Sequence, residues 1–141
     1  MYDEILLPVD GSPAAEQAMP HVFDLAERFD ATVHVLFVVN TTRDSAGVVG
    51  GTVLDTLERE GRRVVDEVEA RGERRGIETH GVVRRGAPHD AILDYATEHG
   101  VEVIVMATHG RTGVERVLLG SVTERVVRAA SVPVLTVRAA E

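Results

Sequence analysis

Glu4-Ile5-Leu6-Leu7-Pro8-Val9-Asp10, followed at once by Gly11-Ser12-Pro13, is an apolar run that breaks into a turn. Apolar residues without alternation read as a strand buried on both faces, and the Gly-Ser-Pro break reads as its end and the start of a helix. Ser12 suits the N-cap and Pro13 the first helical position, while Ala18, Val22, Leu25, Ala26 and Phe29 fall on one face at helical spacing. Pro20 lies beyond the first turn, where its missing N–H predicts either a kink or a helix that starts after Pro13.

Working outward, the same unit recurs. Residues 31–39 read as a second strand rich in valine. Asn40 to Thr52 has no hydrophobic period and reads as a mobile loop. Residues 53–75 carry Leu54, Leu57, Val64, Val65 and Val68 among many charges, as a long exposed helix weakened in its middle by Gly61. A third strand at 77–84, a helix at 88–98, a fourth strand at 102–107, a helix over roughly 114–130 and a fifth strand at 132–137 complete the pattern. Strict alternation of buried strands with helices predicts an α/β fold, an open parallel sheet of five strands, doubly wound with helices on both faces.

The 141 residues fit one domain at the usual size. No cysteine is present, which removes disulfides, thiolate metal sites and cysteine nucleophiles. The first residues lack the basic start and apolar run of a signal peptide, and no stretch is as long as a membrane helix, so the cytoplasm is the expected location. All 15 basic residues are arginine, and 23 carboxylates leave a formal charge of -8. Two explanations fit: a GC-rich genome that replaces lysine codons, or a salt-adapted surface, in which case stability rises with KCl. Either way the negative field disfavours nucleic acid, and a phosphate site has to be made locally.

In an open parallel sheet, ligands bind beyond the carboxyl ends of the strands where the chain order reverses. Asp10 follows the first strand, Val38 to Asn40 end the second, and the fourth runs into Ala107-Thr108-His109-Gly110-Arg111-Thr112-Gly113, with Gly120-Ser121-Val122-Thr123 farther on. A phosphate chain needs backbone N–H groups at close approach, which Gly110, Gly113 and Gly120 permit. Ser121 and Thr123 add hydroxyls, and a helix beginning near Gly120 would turn its positive end to the anion. The same glycines serve equally to shape a turn and to pack a helix. Asp10 can accept from ribose hydroxyls or hold the Gly11-Ser12 turn. His109 can donate to phosphate or sit on the surface; Arg111 can pair with phosphate or remain a solvated charge. His21, His34, His80, His89 and His99 show no metal-ligand spacing and suit structural roles. Neither a Walker loop nor a nucleophile elbow is present.

The stretch from Ala107 to Ser121 resembles the nucleotide-binding signature of the universal stress protein family: glycine, two residues, glycine, nine residues, glycine, then serine or threonine. Ala107 stands where that pattern has its first glycine; Gly110, Gly120 and Ser121 match the rest. The opening Ile5-Leu6-Leu7-Pro8-Val9-Asp10-Gly11-Ser12 and the ending Ser131-Val132-Pro133-Val134-Leu135-Thr136-Val137 also look like the family's termini, so the resemblance covers the whole chain. It implies an adenine nucleotide alpha-hydrolase-like sheet of order 3-2-1-4-5 that binds ATP or AMP, with Mg2+ as an optional bridge between phosphates. Carried over by position, Asp10 and the backbone around Pro8 and Val38 hold the adenosine. Gly110, Gly120, Ser121, Val122 and Thr123 surround the phosphates with His109 and Arg111 beside them, and Val9, Met106, Ala107 and Gly113 complete the set. The resemblance also implies a homodimer paired through the last strand, where Val132, Val134, Leu135 and Val137 would otherwise leave an apolar edge.

The function expected on this basis is a stress-response or regulatory module, not an enzyme, in which bound nucleotide alters the 40–52 segment and so a partner surface. Three alternatives stand beside it. One is a slow ATPase or phosphotransferase, and another is a dimeric interaction protein that binds no nucleotide. The third, by fold analogy alone, is an adenine site like that of electron-transfer flavoproteins.

Overall fold

Five parallel strands in the order β3-β2-β1-β4-β5 form the sheet of the computed structural model, which describes residues 2–42, 46–109 and 113–139. The side chains described are those of residues 2–42, 53–108 and 121–138. The strands are β1 (Glu4–Val9), β2 (Thr32–Asn40), β3 (Thr79–Gly86), β4 (Val103–His109) and β5 (Val134–Ala139); the helices between them are α1 (Pro13–Phe29), α2 (Ala46–Arg74), α3 (Pro88–Glu98) and α4 (Gly113–Ala129). The expected topology is therefore the observed one.

Two apolar layers follow from the period of two along each strand. Ile5, Leu7, Val33, Val35, Val103 and Val105 face α1 and α2, which contribute Ala18, Val22, Phe23, Val65 and Val68. Leu6, Leu36, Ile104 and Met106 face α3 and α4, which contribute Ile92, Tyr95, Ala96 and Val126. Right-handed crossovers put helices on one face while the chain moves outward from β1 to β3, and on the other after it returns to β4.

Several boundaries differ from the sequence reading. α1 begins at Pro13, capped by the Ser12 hydroxyl, which accepts from Ala15 N–H at 3.3 Å, and it continues through Pro20 to Phe29. The later start is excluded. Pro20 is exposed, as is Glu16 one turn earlier, so the carbonyl that Pro20 leaves without a helical donor can turn to water. Of the 40–52 stretch expected to be a loop, Asn40 closes β2 and Ala46 onward is already helix; 43–45 lie outside the described residues. Gly50-Gly51 dilute the periodic signal there, but a helix nucleated by its apolar middle extends at small cost per residue. β3 starts at Thr79 rather than Ile77, because the Ile77 N–H is used to close α2 on the Gly72 carbonyl at 3.0 Å. β5 likewise starts at Val134, two residues later than expected, after the turn at 131–133.

Gly61, expected only to weaken α2, has a packing reason. A Cβ there would come 2.5 Å from the Phe37 ring, and one at Gly72 would overlap the Thr79 hydroxyl. Both glycines let α2 lie close on β2 and β3, which compensates their poor helix propensity. The outer arginines link the helices: Arg71 reaches Glu16 at 3.2 Å, and Arg75 reaches Glu27 at 2.7 Å and Asp24 at 3.3 Å.

At the amino end of the sheet, under α3, lies a buried polar group. His34 is 7 % exposed, with Nε2 2.7 Å from Glu4 Oε1 and Nδ1 2.6 Å from the Tyr95 hydroxyl. A carboxylate only accepts, which assigns the hydrogen to Nε2; in the neutral ring Nδ1 then accepts from Tyr95. His99 stacks on the Tyr95 ring at 3.9 Å, and the Arg84 guanidinium lies over it at 4.9 Å. Burial raises the Tyr95 phenol above its ordinary range, so it stays protonated as a donor. The structural role expected for His34 is thus given by its partners. Among the described residues no helix is long and apolar enough to cross a membrane, and no group of histidines and carboxylates is placed to hold a metal ion.

Candidate functional site

The order β3-β2-β1-β4-β5 reverses direction between β1 and β4, and at the carboxyl ends of the central strands a cleft of about 300 Å³ opens. That volume lies at the lower end of small-molecule sites. β1 ends in it with Pro8, Val9 and Asp10, and the first turn of α1 adds Ser12, Ala14 and Ala15. β2 contributes Leu36, Val38 and Asn40 from one face of the strand, and α3 supplies Pro88 and Ile92. β4 brings Met106 and Ala107, and α4 brings Val122 and Thr123. The wall is mainly apolar, with Asp10, Ser12, Asn40 and Thr123 as its polar side chains.

Each polar group is positioned by local chemistry. Gly11 adopts φ +81°, a region that glycine enters without strain, and so turns the chain sharply from β1 into α1. Asp10 Oδ1 accepts from the Ser12 N–H at 2.9 Å across that turn. The turn-holding role of Asp10 is therefore real, and its second carboxylate oxygen has no protein partner among the described residues. Asn40 Oδ1 accepts from the Thr42 N–H at 2.9 Å and from the Thr42 hydroxyl at 2.6 Å. Thr123 is buried against the cleft floor on α4.

Of the residues singled out in the sequence, Pro8, Val9, Asp10, Val38, Met106, Ala107, Val122 and Thr123 come together in this one cleft. Ser121 does not line it; it is exposed, because one residue along a helix turns the side chain through about 100° from Val122. Gly120 is corrected as a helix start: it lies inside α4, whose first residue is Gly113. A single glycine costs about 1 kcal/mol, too little by itself to stop a helix. Gly110 and Arg111 lie outside the described residues; the backbone of His109 and Gly113 is described, at the end of β4 and the start of α4.

The described structure brings the N-terminal ends of α1 and of α3, which begins at Pro88, to the cleft, and the first-turn dipole of each favours negative charge. Sequence reasoning missed Ser12, read only as a helix cap, and Ala14, Ala15, Leu36, Asn40, Pro88 and Ile92 as lining. Asn40 had a usable signal, since it ends a parallel strand two residues beyond Val38. Ala107 pairs with Val137 and packs with the α1-side core, while Met106 packs on the opposite face. Its methyl is therefore partly taken up by the core.

Comparison with known proteins agrees with this architecture. The model of the universal stress protein family matches residues 1–138. The universal stress protein MJ0531 of Methanocaldococcus jannaschii is 35% identical over 141 residues, covering 98% of this chain and 83% of the relative. The solved structure of the hypothetical protein MJ0577 superposes with a TM-score of 0.87 at 31% identity, over 100% of this chain and 99% of the other. A universal stress protein solved in complex with cAMP shares the fold at a TM-score of 0.77 and 22% identity, over 99% of both chains.

Proposed function

Since the chain belongs to the universal stress protein family, we propose that it is an adenine-nucleotide-binding module, holding ATP or AMP in the switch-point cleft and acting through the bound state rather than by turnover. The observation that carries this reading is the cleft itself: an apolar slot at the reversal of strand order, with a carboxylate at one strand end and an amide at another. The cAMP complex of a protein of the same fold supports an adenine ligand. Asp10 is the one titratable side chain in the described lining, and half of it is committed to the Ser12 turn, which leaves little machinery for proton transfer there. If Mg2+ accompanies the phosphates, Asp10 is the carboxylate of that lining fit to meet it.

The test is direct. Purified protein incubated with labelled ATP is expected to retain it at micromolar concentrations and to release it unchanged on denaturation. Conversion of many equivalents of ATP to ADP per protein molecule would replace this reading with the slow ATPase or phosphotransferase, and a folded protein that takes up no nucleotide would leave the dimeric interaction module.

The proposed homodimer uses β5, which pairs only with β4 among the described strands and exposes Leu135. An open apolar edge strand favours a second copy. Leu135→Arg is expected to turn a dimer into a monomer by light scattering; a wild-type chain that is already monomeric at the same concentration refutes the pairing.

A further inference from the structure

We propose that Asn40 is a recognition residue of the cleft that acts only as a donor, hydrogen-bonding a ring nitrogen of a bound purine; this rests on the nucleotide reading above. Three observations place it there. First, Leu36, Val38 and Asn40 are alternate residues of β2 and all line the cleft, so the amide continues an apolar row on the same face of the strand.

Second, the orientation of the amide is fixed by its partner. A backbone N–H can only donate, so the atom 2.9 Å from Thr42 N has to be oxygen, and the Thr42 hydroxyl at 2.6 Å occupies the second lone pair. The acceptor half of Asn40 is thereby filled. Its NH2 group keeps two donors with no protein partner among the described residues.

Third, the sheet order puts β2 on the opposite side of β1 from β4, the strand that leads into the loop the resemblance gives to phosphates. Asn40 therefore belongs to the nucleoside half of the cleft, beside the flat apolar surfaces of Val38, Pro88 and Ile92. A donor at the rim of an apolar slot matches the unprotonated ring nitrogens of a purine. With its oxygen filled, Asn40 has nothing to offer an exocyclic amino group; bonded to N3 or N7 it binds adenine and guanine alike, and bonded to N1 it favours adenine, because guanine N1 carries a hydrogen.

Asn40→Asp is the informative substitution, because a carboxylate still accepts both Thr42 donors while the NH2 is lost. Affinities of wild type and N40D are measured for ATP, for uncharged adenosine, and for the 1-deaza, 3-deaza and 7-deaza forms of adenosine. N40D is expected to keep its melting temperature and to bind adenosine at least tenfold more weakly. One deaza analogue is expected to lose a similar factor on wild type and nothing further on N40D, as partners in one bond do. Equal adenosine affinity in the two proteins overturns the assignment, and so does a deaza penalty that is the same on both for every analogue. A folded wild type that binds neither ATP nor adenosine removes the nucleotide reading and this inference together, an outcome distinct from wild-type binding that N40D leaves unchanged.

Discussion

Tyr95→Ala is expected to lower the unfolding free energy by about 3 to 5 kcal/mol, a large share of the roughly 5 to 15 kcal/mol that holds a domain of this size. Tyr95 is 2 % exposed and, among the described residues, is the largest of the fully buried side chains, in the same core layer as Leu6, Leu36 and Ile104. Truncation leaves a cavity beneath α3 that the rigid sheet cannot fill. It also takes away the hydroxyl 2.6 Å from His34 Nδ1, stranding a buried acceptor. Tyr95→Phe separates the two effects, since it keeps the volume and removes only the hydroxyl. Its expected cost is about 1 to 3 kcal/mol. Urea unfolding followed by circular dichroism measures both variants. If the phenylalanine form were as stable as wild type, the Glu4–His34–Tyr95 chain of hydrogen bonds would contribute nothing, and the packing alone would account for this end of the core.

Asp10→Ala is expected to weaken nucleotide binding about 10- to 150-fold, the range that corresponds to losing a hydrogen bond of about 1.5 to 3 kcal/mol to a charged group. The carboxylate stands at the end of β1 in the cleft, with one oxygen bonded to the Ser12 N–H and the other without a protein partner among the described residues. Alanine removes both the ligand contact and the turn contact, so its effect alone is ambiguous. Asp10→Asn resolves this: its Oδ1 still accepts from Ser12, and the acceptor for a ribose hydroxyl becomes an NH2. Titration calorimetry on the three proteins, with melting temperatures alongside, reads the outcome. Loss of affinity in both variants with the fold of D10N intact assigns Asp10 to the ligand. Wild-type affinity in D10N, with D10A weakened only as far as it is destabilised, confines Asp10 to the turn.

These two residues mark where a sequence can be read and where it cannot. Asp10 was legible because strand ends in a parallel sheet are where ligands sit, and the apolar run before it and the Gly-Ser-Pro after it are local signals. Pro8, Val38, Met106, Val122 and Thr123 came instead from the resemblance, carried over by position, and the structure places all five in the cleft lining. Tyr95 falls in the short helix read at 88–98, with nothing in the sequence to single it out. Nothing near it in sequence indicates His34, 61 residues earlier, or Glu4, 30 residues before that. Asn40 read as the start of an aperiodic loop, and only the structure showed its amide tied to Thr42 and the residue lining the cleft at the end of β2.

Local backbone geometry converts residue pattern directly into element type. Alternating apolar strands and amphipathic helices, with Ser12-Pro13 at a cap, therefore determined by themselves that this chain forms a parallel sheet covered on both faces. Which side chains meet depends instead on register and crossover. Only the tertiary structure placed Gly61 against Phe37, Tyr95 against His34, α1's first turn at the cleft, and Ser121 on the outside of α4. Those contacts join elements far apart in the chain, and they are selected by the burial of the whole sheet rather than by any residue's neighbours.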